Sequence, residues 1–216
     1  MSQLDMLTMQ DHVRAERFAT KVLAKHFVFS RVMLRSVLAQ YVEICPSQLI
    51  LSKHEYGKPF MEQRPDVHFN MSHTDGNVAI AVCDSCAVGI DIEQVKRTAP
   101  ELKAIANRFF HPDECAVLDP LMDDAYVDGF YRIWTQKEAF VKGLGRGIAF
   151  GLDQFAVELP AIGQPGGVRC FGSDAPGHDW TLVTHQVEEH LVMALAVEAK
   201  DMVLQQRQWP ESVKGI

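Results

Sequence analysis

At 216 residues, 47% hydrophobic and 23% charged, the chain is long enough to bury one large core or two of about 100 residues each, and its balance is that of a soluble globular protein. A net charge of −7 argues against nucleic acid as a partner, and no apolar run approaches the roughly 18 residues that a membrane span needs. The first residues, MSQLDMLTMQ, lack the basic start and apolar stretch of a secretory leader, and the five cysteines are an odd number without framework spacing, so a cytoplasmic location is expected.

In chain order, Val13, Phe18, Val22, Phe27, Leu34, Val37, Leu38 and Tyr41 recur at helical spacing and predict one or two amphipathic helices between Met9 and Tyr41. Pro46 breaks that pattern and a short strand is expected at Leu49 to Leu51. The stretch VHFNMSHTDGNVAIAVCDSCAVGIDIEQV then reads as two or three strands, with turns at Asp75-Gly76 and around Asp84. Cys83 and Cys86 form a C-x-x-C with no second pair to complete a zinc site, and the reading is a turn between strands. VKRTAP, residues 95–100, is the best candidate boundary, which divides the chain into 1–98 and 99–216. Beyond it ELKAIANRFF reads as a helix. HPDECAVL opens another, with His111 as N-cap and Pro112 at the first helical position. VDGFYRIWTQKEAFVKG is a third, stopped by Gly143 and Gly145, and strands follow at Gln154–Leu159, Trp180–Val187 and Leu191–Val197. The fold class is therefore α+β, helix then antiparallel strands, twice over.

Four patterns can carry chemistry. In VGIDIEQV, Asp91 and Glu93 alternate with apolar residues and so share one face of a strand, where two like charges repel unless the face is solvated or a cation lies between them. In WTQKEAFVKG, Trp134, Glu138 and Lys142 fall at i, i+4 and i+8 of a helix with Lys137 beside them; this is either an exposed ion pair or a third carboxylate for the same cation. Three oxygen ligands without a His or Cys set favour a hard ion such as Mg²⁺, which commonly shares its shell with substrate phosphate. Ser72 and His73 end a strand and enter a turn, and YGKPF presents Lys58 between Gly57 and Pro59; both are groups suited to an anion. Residues 1–60 hold eight Lys or Arg against five Asp or Glu, so an acidic chain still has a segment attractive to anions.

In this order GKPF, FNMSH, VGIDIE, RFFHPDE and FYRIWTQKEAFVKGLGRGI resemble the 4′-phosphopantetheinyl transferases, specifically the longer monomeric type that activates peptide and polyketide synthetases. The likeness runs from about Arg14 to Leu152, with G-(I/V)-D-x-E and W-x-x-K-E-A-x-x-K about 45 residues apart. It implies a pseudo-dimer of two similar α+β halves with the active site in the cleft between them. The implied reaction transfers the phosphopantetheine arm of coenzyme A to a serine of an apo carrier protein, releasing 3′,5′-ADP. Asp91, Glu93 and Glu138 would hold Mg²⁺, Lys142 would contact the pyrophosphate, and Lys58, Ser72 and His73 would surround the 3′-phosphate. Arg14 alone falls where the type has basic residues near its start, and Asp11 occupies another such place. A monomer that binds neither nucleic acid nor membrane is implied. A binding module with a decayed site, or a metal-dependent phosphohydrolase, would use the same residues differently.

Overall fold

The structure, a computed structural model, describes residues 3–147, 150–171, 176 and 179–208. These fall into two compact units, one within Met1–Ser52, Met61–Pro65 and Val203–Ile216, the other within Lys53–Phe60 and Asp66–Met202.

The first unit is built on helices α1 (Met9–Glu16) and α2 (Lys21–Val42). Thr8 caps α1 in a reciprocal box with Asp11. The Asp11 carboxylate, buried, accepts from Arg35 Nε at 2.9 Å, and the Arg35 guanidinium also donates to the carbonyls of Pro46 and Leu49. Asp11 thus works as the anchor that ties α1 to α2 and to the turn after it. The expected helical region is two helices, interrupted where Thr20 begins a new N-cap.

Strands β1 (Leu51–Lys53) and β2 (Pro59–Met61) form a short ribbon. In the second unit, β3 (His68–Thr74) and β4 (Asn77–Cys83) make an antiparallel hairpin turned at Asp75-Gly76, with Gly76 at φ +83° as such a turn requires. Strand β5 (Val88–Gln94) is the edge of an antiparallel sheet in the order β5-β9-β8-β7-β6, with β6 at Phe155–Val157, β7 at Pro165–Cys170, β8 at Thr181–Glu188 and β9 at Leu191–Val197. Between β5 and β6 the chain runs through α3 (Ala99–Phe109), α4 (Pro112–Leu118) and α5 (Asp123–Leu144).

Helix α5 lies against β5, β9 and β8, and it is the element on which the second unit is organised. Its Phe130, Ile133 and Phe140 enter a core shared with Leu102 and Phe110 before it and with Phe155, Trp180 and Leu182 after it. Phe140 meets Trp180 edge-on with ring centres 5.2 Å apart. The helix stops at Gly145, where φ is +69° and the amide donates to the Val141 carbonyl.

Strand β5 shows the period-two logic directly. Val88, Ile90 and Ile92 pack into a second core with Ala79, Ala81, Leu195 and Val197. The other face carries Gly89, Asp91 and Glu93 toward α5. At Gly89 the backbones come so close that a Cβ would collide with the Ala139 carbonyl oxygen and the Gly143 amide nitrogen. From the hairpin, the Asn70 side chain accepts the Ile90 amide at 3.0 Å, a bond that no strand ladder supplies.

A carboxylate and lysine cluster on strand β5 and helix α5

Because Gly89 lets β5 lie on α5, the acids on that face of the strand meet the polar stripe of the helix. Asp91 is 2% exposed, and its Oδ1 accepts from Lys142 Nζ at 2.5 Å and from the Ser72 hydroxyl at 2.9 Å. Lys142 also donates to the Ser72 Oγ at 3.0 Å, so three residues from β3, β5 and α5 close a triangle. The second oxygen of Asp91, Oδ2, is buried and has no hydrogen-bond partner among the described residues. A buried carboxylate oxygen left bare is costly, and such an oxygen accommodates a cation.

Glu93 and Glu138 complete the cluster. Burial pushes Glu93 up to about 6, helped by the negative charges of Asp91 and Glu138 and opposed by Lys142 and by the indole N–H of Trp134. Burial likewise raises Glu138, again with Asp91 adding to the effect and Lys142 opposing it. Three carboxylates therefore share one ammonium, and the excess is negative. Among the described residues no group of three His, Cys, Asp or Glu is placed so that it could hold a metal ion. Lys142 takes one oxygen of Asp91, and the unpartnered one is what a cation would meet.

The raised Glu93 makes a pH prediction. Between about pH 4.5 and 6 the native chain binds more protons at Glu93 than the unfolded chain does, so stability falls as pH rises through that window and the full cost is present above pH 6. Glu93→Gln is expected to match the wild type near pH 4 and to melt higher above pH 6. Thermal midpoints of both proteins across pH 4–7 check this, and parallel curves would remove the assignment.

Lys58 is half-buried between β1 and β2, and its ammonium donates to the Gly143 carbonyl at 2.5 Å and the Val88 carbonyl at 3.2 Å. Burial lowers its pKa to about 8 against the pull of Glu198. It is thus a cation on one of the open carbonyls at the end of α5. Ser72 and His73, adjacent on β3, diverge: Ser72 is buried on Asp91, His73 is exposed. Arg14 is exposed on α1 with its guanidinium 5.2 Å from the centre of the Phe27 ring. Ile148, the last residue of the GLGRGI motif, lies outside the described residues.

Sequence reasoning missed what holds α5 in place. Lys137 is fully buried; its three N–H groups go to both oxygens of Glu114, at 2.7 and 2.6 Å, and to the Phe155 carbonyl at 2.7 Å. Glu114 also accepts from the amides of Val157 and His111. The acid-rich start of α4 was the available signal, and it reads equally well as helix-dipole compensation. Asn70 and Trp134 were visible inside motifs without a role.

The sequence model of the 4′-phosphopantetheinyl transferase superfamily matches residues 87–196, and that of the 4′-phosphopantetheinyl transferase N-terminal family matches residues 1–85. Among curated proteins, the 4′-phosphopantetheinyl transferase Sfp of Bacillus subtilis is 36% identical over 198 residues, covering 92% of this chain and 85% of that protein. The 4′-phosphopantetheinyl transferase HetI of a Nostoc species is 32% identical over 88% of this chain and 78% of its own length. A phosphopantetheinyl transferase of a Thraustochytrium species is 29% identical over 89% and 70%. The chain belongs to the 4′-phosphopantetheinyl transferase superfamily and is a transferase enzyme of this type.

Proposed function

We propose that the enzyme transfers the 4′-phosphopantetheine arm of coenzyme A to a serine hydroxyl of an apo acyl or peptidyl carrier protein and releases 3′,5′-ADP. The observation that carries this reading is the Asp91 carboxylate, which holds Lys142 and Ser72 on one oxygen, leaves the other bare, and has Glu93 and Glu138 beside it. Mg²⁺ held by Asp91, Glu93 and Glu138 belongs to this reading: a hard cation would partner Oδ2 and relieve the mutual repulsion that adds to burial in raising both glutamates. When bound, that ion neutralises the pyrophosphate charge.

The chain's own residues do the rest. Lys142, already oriented by Asp91 and Ser72, meets the pyrophosphate and offsets charge on the departing ADP. Ser72, expected with Lys58 and His73 at the 3′-phosphate, has its hydroxyl on Lys142 and Asp91, which favours the pyrophosphate end. Glu138 ranks as metal ligand first; its raised proton affinity also suits it to take the serine proton, and one carboxylate tightly held on a cation serves poorly as a base. Lys58, His73 and Arg14 are the proposed 3′-phosphate contacts. Halves at 1–98 and 99–216, a monomeric state and a cytoplasmic location belong to the same reading.

The test is intact-protein mass spectrometry of an apo carrier protein incubated with this enzyme, coenzyme A and Mg²⁺, with and without a chelator. Gain of one phosphopantetheine arm, lost on chelation, is expected. Hydrolysis of coenzyme A without any acceptor would instead assign the site to a phosphohydrolase.

Lys58 has two roles to separate, phosphate contact and cap of α5. As a phosphate contact, Lys58→Ala raises KM for coenzyme A about tenfold and leaves KM for dephospho-coenzyme A unchanged. As a cap alone, it lowers the melting temperature and moves neither KM.

A further inference from the structure

The turn between β4 and β5 holds two thiols that the transferase chemistry does not use. Cys83 ends β4 and Cys86 stands two residues before β5, with only Asp84 and Ser85 between them. Their Sγ atoms lie 2.8 Å apart, in hydrogen-bond contact, and Ser85 Oγ is 3.7 Å from the Cys83 sulfur. Both side chains are half-buried at the rim of the core formed by Ala79, Ala81 and Val88, while Asp84 and Ser85 are exposed. Cys115 and Cys170 have no comparable contact with another thiol among the described residues.

We propose that Cys83 and Cys86 form a reversible intrachain disulfide by exchange with a small-molecule disulfide. The Cys83 thiolate attacks one sulfur of the disulfide RSSR, and RS⁻ leaves to give a mixed disulfide on Cys83. Cys86 then loses its proton to solvent and attacks the Cys83 sulfur, and the second RS⁻ leaves. Two protein thiols are oxidised to one disulfide and RSSR is reduced to two RSH, each RS⁻ recovering a proton from solvent. The two thiols are unequal in the required sense. Burial raises Cys83, but hydrogen bonds from Cys86 and Ser85 outweigh it and bring it below the ordinary thiol range. Burial pushes Cys86 up to about 11, aided by its bond to Cys83 and by the charge of Glu198. Cys83 is therefore the attacking sulfur and Cys86 the resolving one. The bond would fasten the turn directly before Val88, whose carbonyl accepts from Lys58.

The experiment equilibrates the full chain with oxidised glutathione, alkylates the remaining thiols and maps the tryptic peptide of residues 54–96 by mass spectrometry, since the Lys58-Pro59 and Arg64-Pro65 bonds resist trypsin. Expected is loss of two hydrogens from that peptide with neither Cys83 nor Cys86 alkylated, reversal by dithiothreitol, and a trapped glutathione adduct on Cys83 in Cys86→Ser. Both thiols remaining free, glutathione adducts without the internal disulfide, or a disulfide joining either residue to Cys45, Cys115 or Cys170 would overturn the proposal.

Discussion

Asp91→Ala is expected to cut transfer to an apo carrier by at least about a thousandfold while leaving the fold intact. The loss comes from three effects at once: Lys142 and Ser72 lose the oxygen that orients them, and the bare Oδ2 is gone. Stability should move the other way. Burial is the larger cause that raises Glu93 and Glu138 and the charge of Asp91 adds to it, so removing Asp91 relieves part of the cost on both, and Lys142 keeps solvent contact with 31% of its side chain exposed. The variant should therefore melt at or above the wild-type temperature, the signature of a group that trades stability for activity. Asp91→Asn keeps the size and the Ser72 contact, and it should lose nearly as much activity. Mass spectrometry of the carrier and a thermal melt on the same samples check both halves. Wild-type transfer by Asp91→Ala would end the site assignment.

The second large effect concerns stability alone. Lys137→Met leaves the Glu114 carboxylate buried without its cation, and Glu114→Leu leaves the ammonium with only the Phe155 carbonyl. Either single change should cost about 3–5 kcal/mol, because a buried charge without its partner cannot be solvated. Combining Glu114→Leu with Lys137→Met removes both charges, and the pair should cost less than the sum of the singles by about 2 kcal/mol or more. It will not be neutral, since the amides of Val157 and His111 and the Phe155 carbonyl lose partners. Urea unfolding of the four proteins closes the cycle. Additive costs would mean that the two groups are solvated separately.

Much of the second unit was legible because its signals are local. The alternation of β5 announced its two faces, and His111, Pro112 and Gly145 marked helix ends through backbone requirements that depend on nearest neighbours. What stayed hidden depends on distant chain. Strand β7, PGGVRC, has a proline and two glycines, a composition that argues against a strand. It forms because Pro165–Gly167 pair with β8 and Val168–Cys170 with β6, so two partners share one short segment. The strand expected at Leu49–Leu51 appears two residues later, as β1. Lys137 was read beside Glu138 on the helix, but one step along a helix turns it toward Glu114, 23 residues earlier in the chain. In the candidate site, the carboxylates and Lys142 could be read from motif spacing, and the divergence of Ser72 and His73 from their adjacency on a strand, whereas which of the two faces Asp91 needed the burial of β3.

The bare α-carbon of Gly89 sets a limit on inheritance. Every substitution there adds at least a methyl group, and that methyl meets backbone on α5, which cannot swing aside as a side chain can. The strand bearing Asp91 and Glu93 and the helix bearing Glu138 and Lys142 are therefore locked in one spacing through any run of single mutations that keeps the protein folded. Diversification among descendants of this chain must accumulate at exposed positions such as Met122, where most of the side chain already faces solvent.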